Sequence, residues 1–230
     1  GERPTHPELL DWLAQELIRG GWKLKPLHKQ MMLSAAYMQS GEFDEADAKL
    51  DPENTWLWRR EPRRLEAELI RDSMLAVSGT LDPAMYGPGT LDEGHKRRSI
   101  YFMIKRSKLV PMMQLFDQPE PLVSAGSRPS TTIAPQALAF LNSPHVRTAA
   151  HAFAQRLLPA AENSPAEAVR QGYLASIARQ PDESELSAAT SFLAAQEQRY
   201  ADEQKPNAKE LALADFCQVL FGLNEFVYVE

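Results

Sequence analysis

A mainly α-helical protein is the fold class expected from three observations on the 230 residues. Helix-start patterns recur along the chain, apolar residues return on one stripe at helical spacing, and strand-favouring residues are confined to two short stretches. Each start pattern places a Ser, Thr, Asp or Asn where its side chain can accept from the free N–H groups of a first turn.

Thr5-His6-Pro7-Glu8 predicts the first start, with Glu8 completing a capping box. Leu9, Leu10, Leu13, Leu17 and Ile18 form the stripe of that helix, and Gly20-Gly21 stops it. Asp51-Pro52 predicts a further start, and Leu65, Leu69, Ile70 and Val77 predict a helix ended by Ser78-Gly79. From Leu81 to Pro135 the chain is rich in Pro and Gly, and Tyr86-Gly87-Pro88-Gly89 and Ser124-Ala125-Gly126-Ser127-Arg128-Pro129-Ser130 favour turns over helix. Helix starts resume at Ser143-Pro144, Ser164-Pro165-Ala166-Glu167, Asp182 with Glu185, and Asn207 with Glu210. Gly172 falls within a helical stretch as an interruption or kink. About seven to nine helices are expected from this punctuation. Ser99-Ile100-Tyr101-Phe102-Met103-Ile104 and Phe226-Val227-Tyr228-Val229 predict at most a short two-stranded β element between them.

With 43% hydrophobic and 24% charged residues the chain is not a disordered one. The net charge of −6 is unevenly placed: residues 1–115 hold 17 basic and 17 acidic side chains, and residues 116–230 hold 8 and 14. An acidic balance argues against a nucleic-acid partner. Residues 1–230 are read as one domain with a soft sub-boundary near 143–165, between a helical part with an Arg-rich irregular middle and an acidic helical part. The longest apolar stretches fall short of the roughly 20 residues a membrane span needs. Cys217 is the sole cysteine, so a CxxCH haem motif is absent and no cofactor is expected in this chain. Its apolar setting predicts a buried, inert thiol.

No metal site is expected, because His6, His28, His95, His145 and His151 are not spaced for a helical pair; His145 and His151, six apart, do not share a face. Glu42, Asp44, Glu45, Asp47, Asp51 and Glu53 lack the spacing of a calcium loop and are read as a solvated acidic segment. Thr131 or Thr132 is expected to cap the helix that follows, the alternative being that these hydroxyls and Arg128 form an anion pocket. Lys96, Arg97, Arg98, Lys105, Arg106 and Lys108 put six cations in thirteen residues with no acid among them. Such a run suits a polyanion, the simpler expectation being pairing inside the fold. Arg59, Arg60, Arg63 and Arg64, beside Glu61, Glu66 and Glu68, offer the same choice, and Trp56 and Trp58 are expected to anchor packing.

The chain resembles a known family over nearly its whole length: the planctomycete-specific secreted domain known as domain of unknown function 1553. The segments that carry the resemblance are Thr5 to Ala14, Asp51 to Asn54 with Leu57-Trp58-Arg59, Arg63 to Glu68 with Ile70-Arg71-Asp72, and Arg97 to Tyr101. Phe116-Asp117, Arg128 with Thr131-Thr132, Ala134 to Leu138, and Asn224 to Val229 complete them, and His28 also matches. The resemblance implies an extracytoplasmic location, an excision point at Gly1, and upstream domains of the same polypeptide, often with a cytochrome-c-like haem domain, as partners. It supplies no reaction.

The first functional reading is a helical scaffold or interaction module. The second is a binding or catalytic pocket for an extracellular glycan or small polar substrate, built from Arg63, Arg64, Glu66, Arg71, Asp72, Arg98, Asp117, Arg128, Thr131, Thr132 and Gln136. The third is polyanion binding by Lys96, Arg97, Lys105, Arg106 and Lys108.

Overall fold

The computed structural model describes residues 3–122, 124 and 126–229. The expected excision point at Gly1 and the Ala125 step of the expected turn lie outside the described residues. The chain is mainly α, with eleven helices among the described residues and a single two-stranded antiparallel sheet. It divides into two compact units at Arg63/Arg64.

In the first unit lie α1 (Pro7–Arg19), α2 (Leu24–Met32) and α3 (Glu45–Leu50), none of which buries a residue. Pro7 opens α1 with its fixed φ, but the residue ahead of it is His6; Thr5 instead bonds His6 Nδ1 at 2.8 Å, so the predicted capping box does not form. Gly20 and Gly21 end α1 as expected, Gly21 at φ +64°. Asp51-Pro52 starts no helix: the Asp51 carboxylate closes a turn by accepting from Thr55 N–H (3.0 Å) and Trp56 N–H (2.7 Å). Asn54, the one buried residue among the described residues of this unit, bonds the backbone of Arg59 in both directions, at 2.8 and 3.3 Å. Arg59 lies between the rings of Phe43 and Trp58, 5.3 and 5.2 Å from their centroids, and Arg60 lies over Tyr37. These two arginines therefore meet aromatic faces and not the expected carboxylates. Trp56 is 70% exposed and anchors no core.

The second unit comprises α4 (Ala67–Val77), α5 (Pro111–Leu115), α6 (Ala134–Asn142), α7 (Pro144–Asn163), α8 (Pro165–Ile177), α9 (Glu183–Asp202), α10 (Ala208–Phe221) and α11 (Asn224–Val227). Strand β1 (Arg63–Arg64) pairs with β2 (Tyr228–Val229), and Leu65 N–H donates to Val227 C=O at 2.8 Å. The pairing expected between 99–104 and 226–229 is absent. Ser99–Tyr101 forms a 3-10 turn, because the Asp72 carboxylate takes both the N–H and the hydroxyl of Ser99 at 2.7 Å. Helices with no predicted start or stripe are α2, α3, α5 and α11; the last three span four to six residues, too few to show a helical period.

One core runs through this unit: Phe153 and Leu157 of α7 meet Leu213, Cys217, Leu220 and Phe221 of α10, with Met74, Met113 and Phe140 on the α4–α6 side. A continuous core runs through residues 143–165, and the two compact units divide at Arg63/Arg64. Burial pushes the Cys217 thiol well above its ordinary pKa, as its apolar setting predicts. Arg147 joins α7 to Asp215 (2.7 Å) and Gln218 (3.0 Å) of α10, and Gln218 caps the last carbonyls of α6, Phe140 and Leu141.

Gly172 is a packing residue: a Cβ there would sit 2.9 Å from Phe216 Cε1 and 3.1 Å from Leu220 Cδ1. Gly172→Ala is expected to cost about 1–3 kcal/mol by urea unfolding, although alanine is the better helix former. The capping box predicted at Asp182 and Glu185 forms, with reciprocal 2.8 Å bonds. Arg179 forks onto Glu185 (2.6 and 2.7 Å) and onto Glu225 (both 2.8 Å), tying the start of α9 to α11. The Arg179 guanidinium, with the Asp182 N–H, lowers the Glu185 carboxyl to about 2. A carboxyl lowered in the folded state stabilises it above the ordinary value of 4.5 and loses that contribution as pH falls toward 2. Glu185→Gln should therefore be less stable than the parent at pH 7, and the gap should close between pH 4.5 and 2 in paired urea titrations.

Candidate functional site

The second unit gathers most of the predicted pocket residues into two polar nodes. In the first, Arg64 is buried and donates to Asp117 Oδ2 at 2.5 Å, with Phe116 beneath the guanidinium. Asp117 also accepts from the N–H (2.8 Å) and hydroxyl (2.9 Å) of Thr131. It reaches all three donors from a left-handed backbone, φ +62°, a conformation Asp tolerates better than most residues. Burial alone would raise the Asp117 carboxyl, but the Thr131 and Arg64 donors outweigh it and hold it below its ordinary pKa. Arg128 forks onto Glu68 (2.8 and 3.2 Å) and lies 3.3 Å from Glu66.

Thr131 and Thr132 do not cap α6. The residue before that helix is Ile133, whose N–H is taken by Gln136 Oε1 at 3.4 Å, while Gln136 Nε2 donates to Leu115 C=O at 2.9 Å. The Thr132 hydroxyl meets Tyr228 OH at 3.0 Å. Neither threonine is left to line an anion pocket, and Arg128 is held by carboxylates.

The second node is centred on Arg71, 5% exposed. Its guanidinium donates to the carbonyls of Arg97 (3.0 Å), Glu93 (3.5 Å) and His95 and to Ser99 Oγ (3.3 Å), and its face covers Phe102. Asp72 lies 3.7 Å away, between Arg71 and the half-exposed Arg98 (3.6 Å). Arg63 stays exposed on the strand. The two nodes thus neutralise their own charges, which weighs against acid–base chemistry by the predicted set.

The basic run splits. Arg97 is structural: it donates to the carbonyls of Ala84, Tyr86 and Pro88 and stacks 3.5 Å over Tyr101, clasping the loop that precedes it. Lys96, Lys105, Arg106 and Lys108 are exposed, and Lys105 and Lys108 bridge each other antiparallel, which makes 105–108 a tight turn carrying three cations.

An open feature draws only Arg71 and Lys96 from the predicted sets. Two cavities of about 190 and 310 Å3 meet at Glu93, Met112 and His145. The smaller adds Arg71, His95 and Thr148; the larger is walled by Leu115, Phe116, Phe140 and Pro144. Glu93 Oε1 accepts from Met112 N–H at 3.2 Å, and Oε2 faces His145 Nε2 at 3.8 Å. Sequence spacing carried no signal for this groove, because loop 92–96, α5 and the start of α7 assemble it from distant segments.

The fold and its nodes define a mainly helical protein with a self-neutralised charged interior and one apolar-walled groove. The family described as protein of unknown function, DUF1553, matches residues 1–193, and the chain belongs to it. No curated protein and no solved structure matches the chain.

Proposed function

We propose that this chain is a helical scaffold or interaction module of an exported multidomain bacterial protein. The reading rests on one observation: the first unit leaves its large apolar side chains uncovered. Leu10, Trp12, Ile18, Leu24 and Met32, on helices that bury nothing, and Trp22 between those helices are each at least 44% exposed. Large apolar side chains left exposed in this number favour a contact site. The partner is the upstream part of the same polypeptide, as the family resemblance implies, with a haem c domain among its candidates. Calorimetric titration of the chain with that upstream part should show association, weakened at least tenfold by Trp12→Lys with Trp22→Lys. Absence of heat at any concentration would overturn the reading.

A second reading is favoured by the exposed turn at 105–108: polyanion contact through Lys105, Arg106 and Lys108, with Lys96 beside them in sequence. Binding to a sulfated glycan should weaken steeply from low to moderate salt and be lost when the three turn cations become Ala. Salt-independent binding contradicts it.

A further inference from the structure

The groove where the two cavities meet has a chemistry that narrows its ligand. We propose that it binds a neutral, hydroxyl-bearing molecule with an apolar body, the chemistry of an alkyl or aryl glycoside. The proposal is independent of the contact surface on the first unit.

Three observations carry it. First, the polar groups lining the smaller cavity pair a free acceptor, Glu93, with a donor, Lys96. His95 Nδ1 lies 2.9 Å from Asp92 C=O and 3.3 Å from Arg71 Nη2, and its Nε2 is buried with no partner. Glu93 Oε2 has only His145 nearby, at 3.8 Å, beyond hydrogen-bond distance. The neighbouring hydroxyl protons are already used: Thr148 donates to Pro144 C=O at 2.8 Å, and Thr80 to Ser78 Oγ at 2.8 Å, since Ser78 itself donates to Leu75 C=O. An incoming ligand therefore needs a donor for Glu93.

Second, the groove wall carries charges of both signs, so a head that both donates and accepts suits it better than an ion of one sign. A carboxylate or phosphate would meet Glu93, whose side chain is only 25% exposed. An ammonium would meet Lys96 and Arg71 in the same wall. Hydroxyls avoid both penalties, donating to Glu93 and accepting from Lys96 or His145.

Third, the adjoining 310 Å3 cavity is walled by Leu115, Phe116, Ala139, Phe140 and Pro144, so an apolar body continuous with the head loses water there. The buried Arg71 guanidinium, held by carbonyls on several sides, fixes the loop that carries Glu93 and His95 and so pre-forms the head subsite.

The test is an amide-shift NMR titration of the whole chain with n-octyl β-D-glucoside below its micelle concentration, beside octanol, octylamine and octanoate. Saturable shifts at Glu93, His95, Met112 and Phe140 are expected, with the glucoside bound roughly tenfold or more tightly than each of the other three. Glu93→Gln keeps an acceptor for Met112 N–H but loses the charged one; it should weaken the glucoside roughly tenfold and leave octanol unchanged. His145→Gln provides a second variant, and both are compared only after their spectra match the parent's dispersion. Octanol binding as tightly as the glucoside, tighter binding of either ionic probe, or no saturable shift at these residues overturns the proposal.

Discussion

Replacing Asp117 with Ala is expected to destabilise the second unit by about 3–5 kcal/mol, measured by urea unfolding of the whole chain. The carboxylate is the one partner within 4 Å that offsets the buried Arg64 charge, and Arg64 already has two buried nitrogens, Nε and Nη1, without acceptors. Removing Asp117 leaves an uncompensated guanidinium that is 4% exposed and unpins the N–H and hydroxyl of Thr131. Asp117→Asn tolerates the same left-handed backbone and still accepts from Thr131, so it should cost less. The comparison separates charge from conformation. Because the Asp117 carboxyl is held below its ordinary pKa, the parent's advantage over the Asn variant should be full above the ordinary carboxylate range and fade as pH falls through the lowered value.

Arg71→Met is expected to cost a similar amount, about 3–5 kcal/mol, with its structural consequence centred on the loop from Glu93 to Phe102. One guanidinium serves the carbonyls of Glu93, His95 and Arg97 and the Ser99 hydroxyl at once. Methionine fills much of the volume over Phe102 but strands those acceptors and leaves Asp72 without its buried counter-charge. Arg71→Lys keeps the charge and reaches fewer acceptors, so it should restore part of the loss only. If both Met and Lys variants unfold with parental midpoints, the node does not hold the loop.

Helix existence was legible in the chain wherever a stripe exceeded two turns, and so was the Asp182–Glu185 box, whose two partners lie three residues apart. Caps that depend on what else competes for the hydroxyl were not. Thr131 has the right type and spacing for a cap, but Asp117, fourteen residues back, takes its hydroxyl first. Ser99 to Ile104 has strand composition, yet Asp72 claims the Ser99 N–H that a ladder would need. Of the charged residues, Arg64 meets Asp117 and Arg128 meets Glu66 and Glu68, pairings that sequence spacing did not specify, while Arg63 stays exposed. Which arginine meets a carboxylate and which meets an aromatic ring is a tertiary matter, as Arg59 and Arg60 show. The stripe on α1 was equally visible, but a stripe says only that a face favours burial, never what covers it.

The turn closed by Asn54 bears on the timescale of the first unit. With Asn54 the only buried one among its described residues, the unit is held by backbone bonds at the water's edge more than by excluded area. Such bonds open locally at little free-energy cost, so amide protons of α1 to α3 should exchange with solvent deuterium orders of magnitude faster than those of α7 and α10. A partner seated on α1 and α2 would be read first as a slowing of that exchange, before any change in the fold itself.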